Sequence, residues 1–90
     1  MTALDDSSVV KGGRTKVLEA AAEEKEQTVS EILSRLPFSQ QYVSQSLQRL
    51  ENDGLVKSRE SSEDKRNRIY MVTEKGRDFL DVVNGIYAEA

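Results

Sequence analysis

Apolar residues recur at helical spacing from about Arg14 to Lys25, where Val17, Leu18, Ala21 and Ala22 share one side and charges take the other, so the pattern predicts a first helix. A second helix is predicted to start at Thr28. Thr28-Val29-Ser30-Glu31 fits a capping box, in which hydroxyl and carboxylate satisfy amides that the helix leaves unpaired, and Val29, Ile32, Leu33 and Leu36 supply a buried stripe. Pro37 cannot continue this helix and biases Leu36 away from helical geometry, so the chain turns at Leu36-Pro37-Phe38. Ser39 offers the next N-cap, and Phe38 and Val43 stand at the two positions of a hydrophobic staple. The third helix then runs from about Gln40 to Asp53, with Val43, Leu47 and Leu50 inward and Gly54 as a left-handed cap.

Beyond Gly54 the period changes. Leu55-Val56-Lys57-Ser58-Arg59 and Arg68-Ile69-Tyr70-Met71-Val72 read as strands around the polar loop 61–67, which makes a hairpin. Thr73 is suited to cap a last helix, whose Phe79, Leu80, Val83, Ile86 and Tyr87, with Val82 beside them, form a broad apolar stripe. Residues 1–13 are polar and small, end in Gly12-Gly13 and read as a flexible arm. Two helices around a tight turn, then strand, charged loop and strand, are the parts of a winged helix-turn-helix. The expected fold is therefore α+β: a three-helix core, a β-hairpin wing and a C-terminal helix. The division is an arm over 1–13, a winged domain over 14–73, and a helix over 74–90 as a candidate dimerisation element.

With 90 residues there is room for one domain. The sequence has neither cysteine nor histidine. Their absence removes the usual zinc and iron ligands and the commonest general base, so neither an enzyme nor a cofactor or metal site is expected. No apolar run approaches the roughly 20 residues of a membrane span, and the opening MTALDDSSVV is acidic where a signal peptide is basic. A cytoplasmic protein without a membrane partner is the expectation.

The net charge of -3 and pI of about 5.0 weigh against a polyanionic partner, because phosphate contacts supply most non-specific DNA affinity. The distribution weighs the other way: between Glu26 and Glu51 the sole acid is Glu31. At about 100° of rotation per residue, Gln41, Gln45, Gln48 and Asn52 lie opposite the apolar side of the third helix, flanked by Tyr42, Ser44 and Arg49. Such a face is ordinarily a solvated surface. Solvated faces, however, are usually built of Glu and Lys, whereas this one is polar, almost uncharged and includes weaker helix formers. Gln and Asn bond adenine bidentately, Ser bonds base edges or phosphate, and Arg suits guanine or the backbone, so a face reading the major groove is the favoured interpretation. Lys65, Arg66 and Arg68 are read either as an ordinary charged turn or as a wing on phosphate or the minor groove. Packing within the chain stays equally open for Tyr42 and for the last apolar stripe.

Two stretches resemble the MarR-like winged-helix regulators, with weaker similarity to ArsR-like and PadR-like ones. One is SQQYVSQSLQRLENDGLV, residues 39–56, in its spacing of Ser39, Val43, Ser44, Leu47, Leu50, Gly54, Leu55 and Val56. The other is DKRNRIYMVTEKG, residues 64–76, where an Asp-x-Arg tip precedes a strand ending in Thr-x-Lys-Gly. The resemblance implies a transcriptional regulator, typically a repressor, that binds double-stranded DNA as a homodimer. It matches Gln40, Gln41, Tyr42, Ser44 and Gln45 to base-reading positions, Arg66 to the wing-tip arginine, and Lys65 and Arg68 to its neighbours. With Ser39, Gln48 and Arg49 from the same helix, these are the expected DNA-binding residues. Members of that family carry further terminal helices that build a dimer and a ligand pocket. The present length leaves no room for them, so a small-molecule effector is not expected, and dimerisation falls to Phe79, Val82, Val83, Ile86 and Tyr87, with the first helix left open as a helper or alternative. A winged helix used as a protein-protein module, and a plasmid or viral replication or architectural factor, stay open as alternatives.

Overall fold

The computed structural model describes residues 12–63 and 67–89, with side chains as far as residue 85. Its elements are α1 (Gly13–Ala21), β1 (Gln27–Thr28), α2 (Val29–Leu33), α3 (Gln40–Asn52), β2 (Val56–Glu60), β3 (Arg68–Val72) and α4 (Glu74–Glu89). The expected α+β winged architecture is present, apart from the arm, most of which lies outside the described residues.

Local signals set most boundaries. At the start of α2 the Thr28 hydroxyl accepts from the Glu31 amide at 3.2 Å and the Glu31 carboxylate accepts from the Thr28 amide at 2.8 Å, the predicted capping box. Helix α2 ends at Leu33 rather than Leu36. The amides of Arg35 and Leu36 bond back three residues, to Ile32 and Leu33, which tightens the chain into a turn ahead of Pro37. Ser39 caps α3 by accepting from the Tyr42 amide at 3.1 Å. At the other end Gly54 takes φ +80°, the Gly54 amide donates to the Glu51 carbonyl and the Leu55 amide to the Leu50 carbonyl. These two bonds make a Schellman cap, and the left-handed backbone at its centre is why a glycine stands there.

Helix α1 stops at Ala21, short of the expected Lys25, for a reason the local pattern does not carry. Gln27, only 1% exposed, donates through Nε2 to the carbonyls of Ala20 and Ala21 at 2.9 and 3.0 Å. The Ala20 carbonyl also accepts from the Glu23 amide, and that of Ala21 would otherwise need an amide from another helical turn. Gln27 also opens β1, a strand the sequence pattern does not predict. It pairs antiparallel with β3, Gln27 opposite Tyr70 and Thr28 opposite Ile69, so the sheet has the order β1-β3-β2 with β3 central.

Val17, Leu18, Ile32, Val43 and Leu47 from the three helices are fully enclosed, and Val56, Tyr70, Val72 and Leu80 close the core from the sheet and α4. Truncating one of the enclosed leucines to alanine costs about 2–5 kcal/mol. Burial raises the Tyr70 phenol pKa above its ordinary value; Glu51 adds to the effect and Arg68 partly offsets it.

The root of α4 is locked to the end of α3. The Thr73 hydroxyl donates to the Gly54 carbonyl at 2.7 Å and accepts from the Gly76 amide at 3.1 Å, Thr73 N donates to Leu55 O at 3.0 Å, and Lys75 Nζ donates to Asp53 O at 2.9 Å. A Cβ at Gly76 would collide with the Leu55 carbonyl, so the two segments touch where only glycine fits. Farther along, the stripe of α4 divides. Leu80 and Val83 turn inward at 7% and 8% exposure, whereas Phe79 and Val82 face outward at 40% and 63%. Val83, expected at an interface, is buried within this chain. The side chains of Ile86 and Tyr87 lie outside the described residues. Among the described residues no helix is long and apolar enough to cross a membrane.

Candidate nucleic-acid interface

The caps at Ser39 and Gly54 fix α3 at both ends, and its inward side chains fix its rotation. Val43, Ser46, Leu47 and Leu50 are buried, which leaves Gln41, Gln45, Gln48, Arg49 and Asn52 exposed along the opposite side, Gln40 exposed in the first turn and Ser44 half-buried at the edge. This is the division the spacing predicts, with Ser46 joining the inward set. Four exposed primary amides on one rigid helix, Gln41, Gln45, Gln48 and Asn52, each offer both a donor and an acceptor to a base edge. No carboxylate interrupts them. Glu51 is half-buried and accepts from the Ser58 hydroxyl at 2.9 Å, and the Glu31 carboxylate is spent on its own helix cap.

The flanking residues hold more varied positions. Ser39 is exposed, with its oxygen engaged in the cap. Tyr42 stands edge-on to Phe38, ring centroids 5.0 Å apart, and a Cβ at Gly13 would collide with the Tyr42 hydroxyl. Its ring therefore packs within the chain, between the turn and the start of α1, and presents only its 39% exposed edge to a groove. Phe38 itself packs against the core. Arg49 is exposed; its Nε lies 3.8 Å from Asp53 Oδ2, a solvent-facing pair that leaves most of its donors available.

In the wing, β2 and β3 pair from Val56 opposite Val72 to Glu60 opposite Arg68, and the Ser61 amide donates to the Asn67 carbonyl to close the hairpin. Arg68 stands in the strand ladder rather than at the tip. Its Nε donates to Ser58 Oγ at 3.1 Å, so one exposed cation is braced through Ser58 against Glu51 on α3. Arg59 pairs with Glu26 at 3.0 Å, tying the wing to the loop before β1. Lys65 and Arg66 lie outside the described residues.

Two residues escaped the sequence reading. Gln27 reads as a linker polar residue, and only its separation of one residue from the capping box hints at a role. Arg14 reads as one charge on the outer side of the first helix, yet it lines a cleft of about 240 Å³ together with Tyr42, Gln45, Ser46 and Arg49. No spacing rule connects positions so far apart in sequence.

A family model described as MarR family matches residues 13–67. Among solved structures, the crystal structure of MarR superposes with a TM-score of 0.84 at 18% identity, covering 96% of this chain and 70% of that one. The transcriptional regulator BldR from Sulfolobus solfataricus gives 0.80 at 23% identity, with coverages of 97% and 67%. Overoxidized AbfR bound to DNA gives 0.79 at 25% identity, with coverages of 98% and 74%. No curated protein matches the sequence.

Proposed function

The chain belongs to the MarR family, and from that premise we propose that it is a transcriptional regulator that binds duplex DNA site-specifically, with α3 in the major groove and the wing on the backbone or in the minor groove. The observation that carries this reading is the outward side of α3: exposed, nearly uncharged, rich in amide side chains, and held rigidly by caps and core. Gln41 and Gln45 are the central base readers, supported by Gln40, Ser44 and Gln48; Ser39 and Arg49 contact backbone at the two ends of the helix, and Tyr42 lies along its flank. Lys65, Arg66 and Arg68 supply wing contacts. AbfR, a protein of similar fold, is solved bound to DNA, which favours the same partner here.

Residues 14–73 form the DNA-binding unit in this proposal, and the helix over 74–90 pairs two copies through Phe79 and Val82, with Ile86 and Tyr87 extending the contact. Dimeric regulators of this geometry recognise half-sites about one helical turn apart. The test is selection of bound duplexes from a random DNA library at moderate salt. Enrichment of an inverted repeat with that spacing is the expected result. A single enriched half-site would keep base reading and remove the dimer, and a pool with no enriched sequence would overturn the proposal.

A further inference from the structure

Arg14 and Arg49 stand on different helices, α1 and α3, and line one cleft with Tyr42, Gln45 and Ser46 between them. A side chain at Gly13 would strike the Tyr42 hydroxyl, so the ring or the start of α1 would have to move. The cleft contrasts with its neighbours. The groove between α1 and α4 is lined by Glu19 and Glu23, and that beside Leu55 includes Asp53 along with Arg14. Here, among the described residues, two guanidinium groups border the lining and no carboxylate does, although Asp53 reaches Arg49 from outside it at 3.8 Å. Both arginines are exposed, and a solvent-facing contact at that distance competes weakly with a better anion. Gln45, a central residue of the outward side of α3, forms part of the wall, so the cleft adjoins the surface that would face DNA.

We propose that this cleft seats a phosphate of the DNA backbone flanking the groove that α3 reads, gripped by Arg14 from one side and Arg49 from the other. The inference rests on the DNA-binding reading above and adds Arg14, which neither helical spacing nor the family resemblance selects. Guanidinium forks suit phosphate oxygens, and two of them meeting from separate helices would fix the position of the helix pair on the duplex as well as its affinity. Such a contact carries no sequence information of its own.

The experiment compares the full chain with R14A, R14K and K16A on the selected duplex and on an unrelated one, across a salt series. Lys16 is the control, an exposed cation on the same helix that lines a different cleft, beside Arg35 and Pro37. R14A is expected to weaken binding about three- to tenfold on both duplexes, to lower the salt slope by about 0.9, and to leave thermal stability unchanged. R14K should recover part of the loss, and K16A should stay close to the parent. If the parent binds and R14A matches it, or if K16A loses as much as R14A, the cleft is not a phosphate seat while the DNA-binding reading stands. If the parent itself binds neither duplex, the DNA-binding reading fails and this inference with it.

Discussion

The Arg35 guanidinium donates through Nε to the side-chain oxygen of Gln27 at 2.8 Å, while Gln27 turns its amide nitrogen to the last carbonyls of α1. Arg35 also lies 3.6 Å from Glu24. One buried amide thus satisfies the end of a helix, opens a strand and anchors the turn between the two helices of the motif. Gln27→Leu keeps the volume and removes its three side-chain hydrogen bonds, leaving the Ala21 carbonyl without its donor while the Ala20 carbonyl keeps the Glu23 amide. The expected cost is about 2–4 kcal/mol, read as a lower midpoint of urea unfolding with an unchanged slope. Gln27→Glu should be no better, because a carboxylate facing two carbonyls has no proton to give them.

Base reading and backbone contact separate by mutation. Gln45→Ala should change preference at one base-pair position by about 1–3 kcal/mol and leave the others alone. Arg66→Ala should weaken every sequence alike and reduce the salt slope by about 1. The opposite pattern in a binding-site selection would refute these roles.

Neighbouring valines on α4 should behave differently. Val82→Glu places a charge on an outward position and should shift the chain toward monomer in sedimentation at high micromolar concentration, with little change in its melting. Val83→Ala removes an enclosed side chain and should cost about 1–3 kcal/mol of stability. A parent chain that is already monomeric at that concentration would dispose of the dimer.

Alkaline titration should register Tyr70. Burial, with Glu51 adding and Arg68 opposing, favours its neutral phenol in the folded chain. The unfolded chain therefore loses this proton first. The stabilisation is fully present below about pH 10 and declines as pH rises from there through the folded-state value. Tyr70→Phe should flatten that part of the decline in the urea midpoint, and an unaltered pH dependence would count against the burial effect.

What could be read from the sequence depended on range. Both caps of α3, the Thr28 box and the two wing strands come from residues within a few positions of one another, so spacing alone specifies them. The end of α1 was not legible because a side chain beyond the helix replaces its missing amides, and β1 was not because two residues carry no alternation. The α4 stripe was legible as apolar but not in orientation: Val82 and Val83 are chemically alike, and only the position of the core decides which one is enclosed. The outward side of α3 was visible as a pattern, whereas the approach of Arg14 to Arg49 depends on how α1 crosses it.

The joint around Thr73 and Gly76 has a mechanical consequence. Helix α4 has 16 residues, a rod of about 24 Å, and its base is clamped to the C-terminal end of α3 by three hydrogen bonds and a contact with no spare room. A load applied farther along α4, whether by a second copy or by anything that wedges beside it, therefore reaches the Gly54 end of α3 through this joint.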